Sequence, residues 1–188
     1  VYVGAGLIAN DRRANALQIY LSKPLTRFEY IAGKLTVLGA FLLLVSWVPA
    51  VVLLMVQVMF SGSFDFFKAN LHLLPAITVF SVVQCLVAST VMLALSSLSK
   101  SSRYVGVLYA GIIFFTQAMY GVLRGITRGT AFSWISIPLD LSQIGDFVFR
   151  LPQQYTTPIP VAVLIIVAAV GLSAVVLERR VRGIEVVA

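Results

Sequence analysis

Ionisable side chains are what this sequence has least of. Only 11% of its 188 residues are charged, and Asp and Glu number 7 against 14 Lys and Arg. A soluble domain carries about 25% charged residues, so composition excludes an ordinary water-soluble fold. Cysteine occurs once, as Cys85, and histidine once, as His72. One cysteine rules out an intrachain disulfide. One histidine with no Cys or carboxylate cluster beside it gives no metal centre, and none is expected. No Gly-x-x-x-x-Gly-Lys-Ser/Thr is present, so the chain lacks a phosphate-cradling loop and is not expected to bind ATP or any other cofactor. The first residues have neither a basic start nor a small-residue cleavage site, so no cleavable signal peptide is expected there. Internal repeats and low-complexity tracts are missing. So are the ten-residue alternating segments of a membrane barrel.

What the sequence has instead is hydrocarbon. Hydrophobic residues make up 60% of it, and the mean hydropathy is +0.98. The expected class is all-α: a polytopic helical membrane protein. A crossing helix needs about 20 apolar residues, because roughly 30 Å of hydrocarbon is covered at about 1.5 Å per residue. Four stretches meet that length, at 35–60, 73–98, 104–123 and 159–177. The first is longer than the minimum, and Pro49 is its expected kink. Residues 1–9 read as the last turns of a further span whose beginning is absent, which makes the chain the C-terminal part of a longer protein. Between the third and fourth long spans, 125–158 is mixed. Its apolar pieces 132–139 and 141–149 are too short to cross and read as interfacial or re-entrant, with Trp134 and Tyr155 at headgroup level. Residues 178–188 form a basic tail.

The basic residues set an orientation. With 10–34 in the cytoplasm, the inside holds Arg12, Arg13, Lys23, Arg27, Lys34, Lys100, Arg103, Arg179, Arg180 and Arg182, and the outside only Lys68, Arg124, Arg128 and Arg150. Ten against four obeys the positive-inside rule. It also accounts for most of the net charge of +7 without invoking nucleic acid. A multi-pass protein of the bacterial inner membrane, with its C-terminus in the cytoplasm, is expected.

Residues 11–34 are the exception to the shortage of charge: seven of the 21 charged side chains stand here. Ala14, Leu17 and Leu21 share one helical face that Ala16, Ile19 and Tyr20 broaden, with Arg12, Arg13, Asn15 and Gln18 as polar neighbours. The pattern predicts a short amphipathic helix on the membrane surface. Pro24 ends it, because Lys23 before a proline is pushed out of helical geometry. Thr26-Arg-Phe-Glu29 then has the form of a capping box, in which Thr26 and Glu29 satisfy each other's backbone N–H groups. A new helix is expected from about Arg27 into the first long span, giving a helix, an elbow held at a fixed angle, and a second helix.

Gly-Leu-Ile-Ala-Asn-Asp-Arg-Arg at 6–13, Ala-Leu-Gln-Ile-Tyr-Leu-Ser-Lys-Pro-Leu-Thr-Arg-Phe-Glu-Tyr at 16–30 and Gly33-Lys34 together resemble the first cytoplasmic loop of permease subunits of ABC-2 type transporters. The likeness is to the bacterial branch associated with export or multicopper-enzyme maturation. A member of that family has two spans ahead of the position of Asp11. The resemblance implies a permease that pairs with a second permease subunit and sets a coupling helix into a groove on a separate cytoplasmic ABC ATPase. It assigns Asp11, Arg12, Arg13, Leu17, Tyr20, Leu21 and Pro24 to ATPase contact or its geometry, and Thr26 and Glu29 to the elbow. The competing reading is a structural or accessory subunit of a larger membrane complex that does not transport.

Other polar residues are weaker candidates. Gln84 and Gln117 stand within spans and either line a path or hydrogen-bond between helices, the second being the commoner arrangement. Arg124 and Arg128, one turn apart, are placed to meet an anionic substrate or membrane lipid. Asp140 and Asp146 read as their solvated or paired partners. Six positions is poor spacing for a shared catalytic face, and no base, nucleophile or metal set accompanies them. Gly121-x-x-x-Gly125, and Gly106 with Ala110, are small-residue pairs of the kind that allow close helix packing.

Overall fold

The computed structural model describes residues 2–13, 27–61, 68–99 and 101–182. Six α-helices occur in them: α1 (Tyr2–Arg13), α2 (Arg27–Phe60), α3 (Leu73–Leu98), α4 (Ser102–Thr127), α5 (Ile137–Val148) and α6 (Ile159–Arg182). A short 3-10 turn, Ser133–Ile135, precedes α5, and there is no strand among the described residues. The fold is all-α. Four helices, α2, α3, α4 and α6, are long and apolar enough to cross a membrane.

Helix α3 is the centre of the bundle, with α1, α2, α4, α5 and α6 all packed against it. Its sequence explains why. The buried side chains along it include Ala76, Ser81, Cys85, Ser89, Thr90, Ala94, Ser96 and Ser97. Small residues let neighbouring backbones approach from every side, and in lipid such close packing replaces the hydrophobic drive as the cause of association. The hydroxyls carry little polar cost. Thr90 Oγ1 donates to the Leu86 carbonyl at 2.7 Å, and Ser97 Oγ to that of Ala94 at 2.6 Å. Between α2 and α3, Trp47 Nε1 donates to Thr78 Oγ1 at 3.1 Å, and Ser46 Oγ lies 3.3 Å from the buried Cys85 Sγ. Helix α2 runs unbroken through Pro49.

Two apolar clusters divide the bundle along its length. One joins Ala5, Ile8 and Ala9 of α1 to Leu38, Met92, Leu93, Val105 and Leu177. It brings together the end of α1, the start of α2, the end of α3, the start of α4 and the end of α6, so consecutive long helices run antiparallel. The other joins Ile144 of α5 to Val87 and Ile166, with Ile137, Leu141 and Val148 packed beside it. Val87 stands midway along α3, so α5 is not a cap on the outside. It is a short helix wedged among the long ones. Gly145 makes this possible: a Cβ there would lie 3.1 Å from the Phe80 ring. Phe80 in turn meets Phe149 edge-on, with centroids 5.7 Å apart.

The sequence predicted two short apolar pieces divided at Asp140. The structure has one helix through that position. Asp140 falls in its first turn, where the helix dipole tolerates a carboxylate, and Pro138 sits where its missing N–H costs nothing. The expected close packing at Gly121 and Gly125 is absent: no atom lies within 4 Å of a Cβ built at either, so that face of α4 meets no other helix among the described residues.

Candidate functional site

The end of the bundle where α1 stops and α2 begins is held by charge. Asp11 stands in the last turn of α1, and Tyr30 and Lys34 stand one turn apart near the start of α2. The Asp11 carboxylate accepts from Tyr30 Oη at 2.8 Å and forms an ion pair with Lys34 Nζ at 2.7 Å. Lys34 Nζ also lies 5.7 Å from the centre of the Tyr30 ring. All three side chains are at least half buried, so the contact is shielded from screening water far better than a surface pair. The assembly clamps the helices on either side of residues 14–26 to each other.

A second fastening lies one to two turns deeper. Ser96 Oγ of α3 accepts from the backbone N–H of Ile8 at 3.1 Å and of Ala9 at 3.0 Å, and donates to the carbonyl of Ala5 at 2.9 Å. Ala9 N–H and Ala5 C=O are the pair that an α-helix ordinarily joins directly. A hydroxyl placed between them ties α1 to α3 through the backbone itself.

Of the residues expected to meet a partner or shape the elbow, Leu17, Tyr20, Leu21, Pro24, Thr26 and the Arg12 side chain lie outside the described residues. Arg13 is exposed. Glu29 is exposed in the first turn of α2, where a carboxylate favours the helix N-terminus. Asp11 is turned inward onto Lys34 and Tyr30. Sequence reasoning did not find those two partners. The available signal was their i, i+4 spacing at the start of a helix, which stacks an aromatic ring and a cation on one face.

Midway along the bundle, α3, α4 and α5 enclose a cavity of about 410 Å³. Its walls are mostly apolar, including Val87, Ile112 and Leu141, with Gln84, Tyr109 and Ser142 as polar points. Gln84 is exposed on this cavity and makes no hydrogen bond among the described residues. Gln117 is exposed on α4, away from this cavity, and also makes none among the described residues. A shallower recess of about 620 Å³, lined by Leu98, Tyr104 and Phe115, opens on the outer face of α3 and α4.

At the far end, Arg124 and Arg128 are exposed at the end of α4, and Arg128 closes the helix in the left-handed conformation with φ 51°. The expectation that Asp140 and Asp146 are solvated or paired with them is corrected. Asp140 is 0% exposed and Asp146 6%, and neither forms an ion pair among the described residues. The cause is the wedging of α5, which carries both carboxylates inward with it. Burial pushes the Asp140 carboxyl up to about 7. Nearby, Tyr155 meets Tyr120 edge-on at 6.4 Å. Burial, then Tyr120 and Asp146, raise the Tyr155 phenol, while Arg124 pulls it the other way.

The family model described as ABC-2 family transporter protein matches residues 1–181. No curated protein and no solved structure matches the chain.

Proposed function

The chain belongs to the ABC-2 transporter family and is a multi-pass membrane component of permease type; from that footing we propose that it couples ATP hydrolysis on a separate cytoplasmic ATPase subunit to movement of a substrate across the membrane. ATP hydrolysis resides in the partner, and the permease acts as one of two paired subunits. Residues 11–24 receive the motion, with Leu17, Tyr20 and Leu21 as the apolar contact and Arg13 on its polar border. The observation that carries the reading is the Asp11–Lys34–Tyr30 clamp. A push on residues 14–26 reaches both α1 and α2, because their ends are fastened to each other. Ser96 passes it on to α3, the helix every other one rests on.

Movement at α3 alters the cavity that α3, α4 and α5 enclose. Gln84 is one of its polar groups and the substrate-contact candidate. Arg124 and Arg128 are candidates for an anionic group at the exit. An inside location for the clamp end follows from the excess of basic residues there.

The test is purification in mild detergent followed by an ATPase assay. The wild-type assembly is expected to carry an ATPase and to hydrolyse ATP, and Tyr20→Glu with Leu21→Glu is expected to release it. An intact assembly with no ATPase would favour the accessory-subunit reading instead.

A further inference from the structure

We propose that Ser136, Asp140 and Gln143 form a binding site for a monovalent metal cation, held by oxygen atoms on one face of α5. The proposal is independent of the ATPase reading. Its first support is an excess of acceptors. Both oxygens of Asp140, Oε1 of Gln143 and Oγ of Ser136 are buried and have no hydrogen-bond partner among the described residues. Buried polar atoms are ordinarily paired, and each one left alone is costly. Here four fall on residues spaced i, i+4 and i+7, which share a helical face. The turn is formed, since Asp140 N–H donates to the Ser136 carbonyl at 3.0 Å.

The donors of Gln143, Ser133 and Thr157 are directed elsewhere, while the buried hydroxyls of Ser136 and Tyr120 have no partner among the described residues. Gln143 Nε2 donates to Ser133 Oγ at 2.6 Å, and Ser133 Oγ lies 2.5 Å from Thr157 Oγ1. Thr157 Oγ1 in turn reaches the Thr130 and Ala131 carbonyls, each at 3.5 Å. The amide has its nitrogen toward this chain of hydroxyls and its oxygen on the other side. Gln143 is oriented as an acceptor.

The second support is charge. Helix α3 has no acid or base besides Cys85. The ionisable residues of α4 are Arg103, Tyr104, Tyr109, Tyr120 and Arg124, and those of α6 all lie in its last two turns. Arg124, Arg128 and Arg150 are exposed, and the other ionisable groups of this end, the buried Asp146 of α5 and Tyr155, bring no positive charge. An ionised Asp140 thus has no counter-charge among the described residues. A bound cation supplies it and satisfies the oxygen lone pairs together. One carboxylate with two neutral oxygen ligands matches a single positive charge. Calcium sites recruit more ligands and more carboxylates, and magnesium keeps its water. Sites of this kind in membrane proteins sit where a helix is short and embedded among others, which describes α5.

The test uses the full chain with any subunits that purify with it, carrying Trp47→Phe so that Trp134, two residues before Ser136, is this chain's only indole, and the signal is read as the difference from the same assembly carrying Trp134→Phe as well. Fluorescence is titrated with NaCl or KCl against N-methylglucamine chloride at constant ionic strength, pH 8. A saturable change with Na+ or K+ is expected. Asp140→Asn abolishes it, and Ser136→Ala raises the half-saturating concentration about tenfold, the worth of one ligand. Protons compete for the same carboxylate, so half-saturation also rises when the pH is lowered from 8 to 6. A response to pH alone means that a proton or water fills the space and overturns the proposal. So does a response confined to Ca2+ or Mg2+, or an Asp140→Asn protein that titrates like its parent. If Asp140→Asn does not fold, Ser136→Ala decides: an unchanged half-saturation overturns the site, and a raised one supports it.

Discussion

Asp11 has the residue-scale part that the sequence described least well. It belongs to the Asp-Arg-Arg unit that the family resemblance assigns to partner contact or its geometry. In the structure its Oδ2 is turned onto Tyr30 Oη and Lys34 Nζ. Removing one member of a half-buried charged set leaves the others unsatisfied. Asp11→Ala and Lys34→Ala should each cost roughly 1–2 kcal/mol. The double variant should cost less than the sum, with a coupling on the order of 1 kcal/mol. Thermal unfolding of the four proteins in one detergent measures this. Strict additivity would mean that the pair holds nothing together.

Among the elements, α5 departs furthest from what its composition suggests. Twelve residues cannot cross a bilayer, yet the helix lies against the middle of α3 and α6 rather than on the surface. Its apolar positions Ile137, Leu141, Ile144 and Val148 face the long helices, and Ser136, Asp140 and Gln143 face the 3-10 turn and the approach to α6. The helix ends firmly: Leu151 N–H returns to the Asp146 carbonyl at 2.7 Å, with Arg150 in the left-handed conformation at φ 57°. Depth of insertion depends on Gly145 against Phe80. Gly145→Ala should stay within about 1 kcal/mol of wild type, because better helix propensity offsets a small ring shift. Gly145→Leu should lose roughly 1–3 kcal/mol through overpacking. It should also raise amide exchange along α5. Equal exchange in the two variants would show that the helix does not rest on this contact.

At the scale of the whole molecule, the two ends of the bundle differ in charge. The clamp end, the start of α4 and the end of α6 carry Arg13, Lys34, Arg103, Arg179 and Arg180, whereas Arg124, Arg128 and Arg150 lie at the other. Cys85 is the sole cysteine and is buried, so Cys85→Ser gives a blank background for labelling. In that background a membrane-impermeant maleimide should label Gln153→Cys on intact cells and Arg180→Cys only after lysis. The reverse pattern would place the clamp outside and remove any cytosolic ATPase from contact with it.

The sequence by itself determined that this is a helical membrane protein with four long crossing segments. Lipid permits little else to a chain with so few charges, and an uninterrupted apolar run declares its own length. It also marked the family through residues 6–34, because a charged stretch in such a chain stands out against its surroundings. It did not say which helix is central. Ser81, Ser89, Ser96 and Ser97 carry no mark in the sequence that they are buried where neighbours come close. Nor did it say that Asp140 is buried. Helical periodicity assigns a residue to a face, but only the packing of one element against another decides whether that face meets water, lipid or protein.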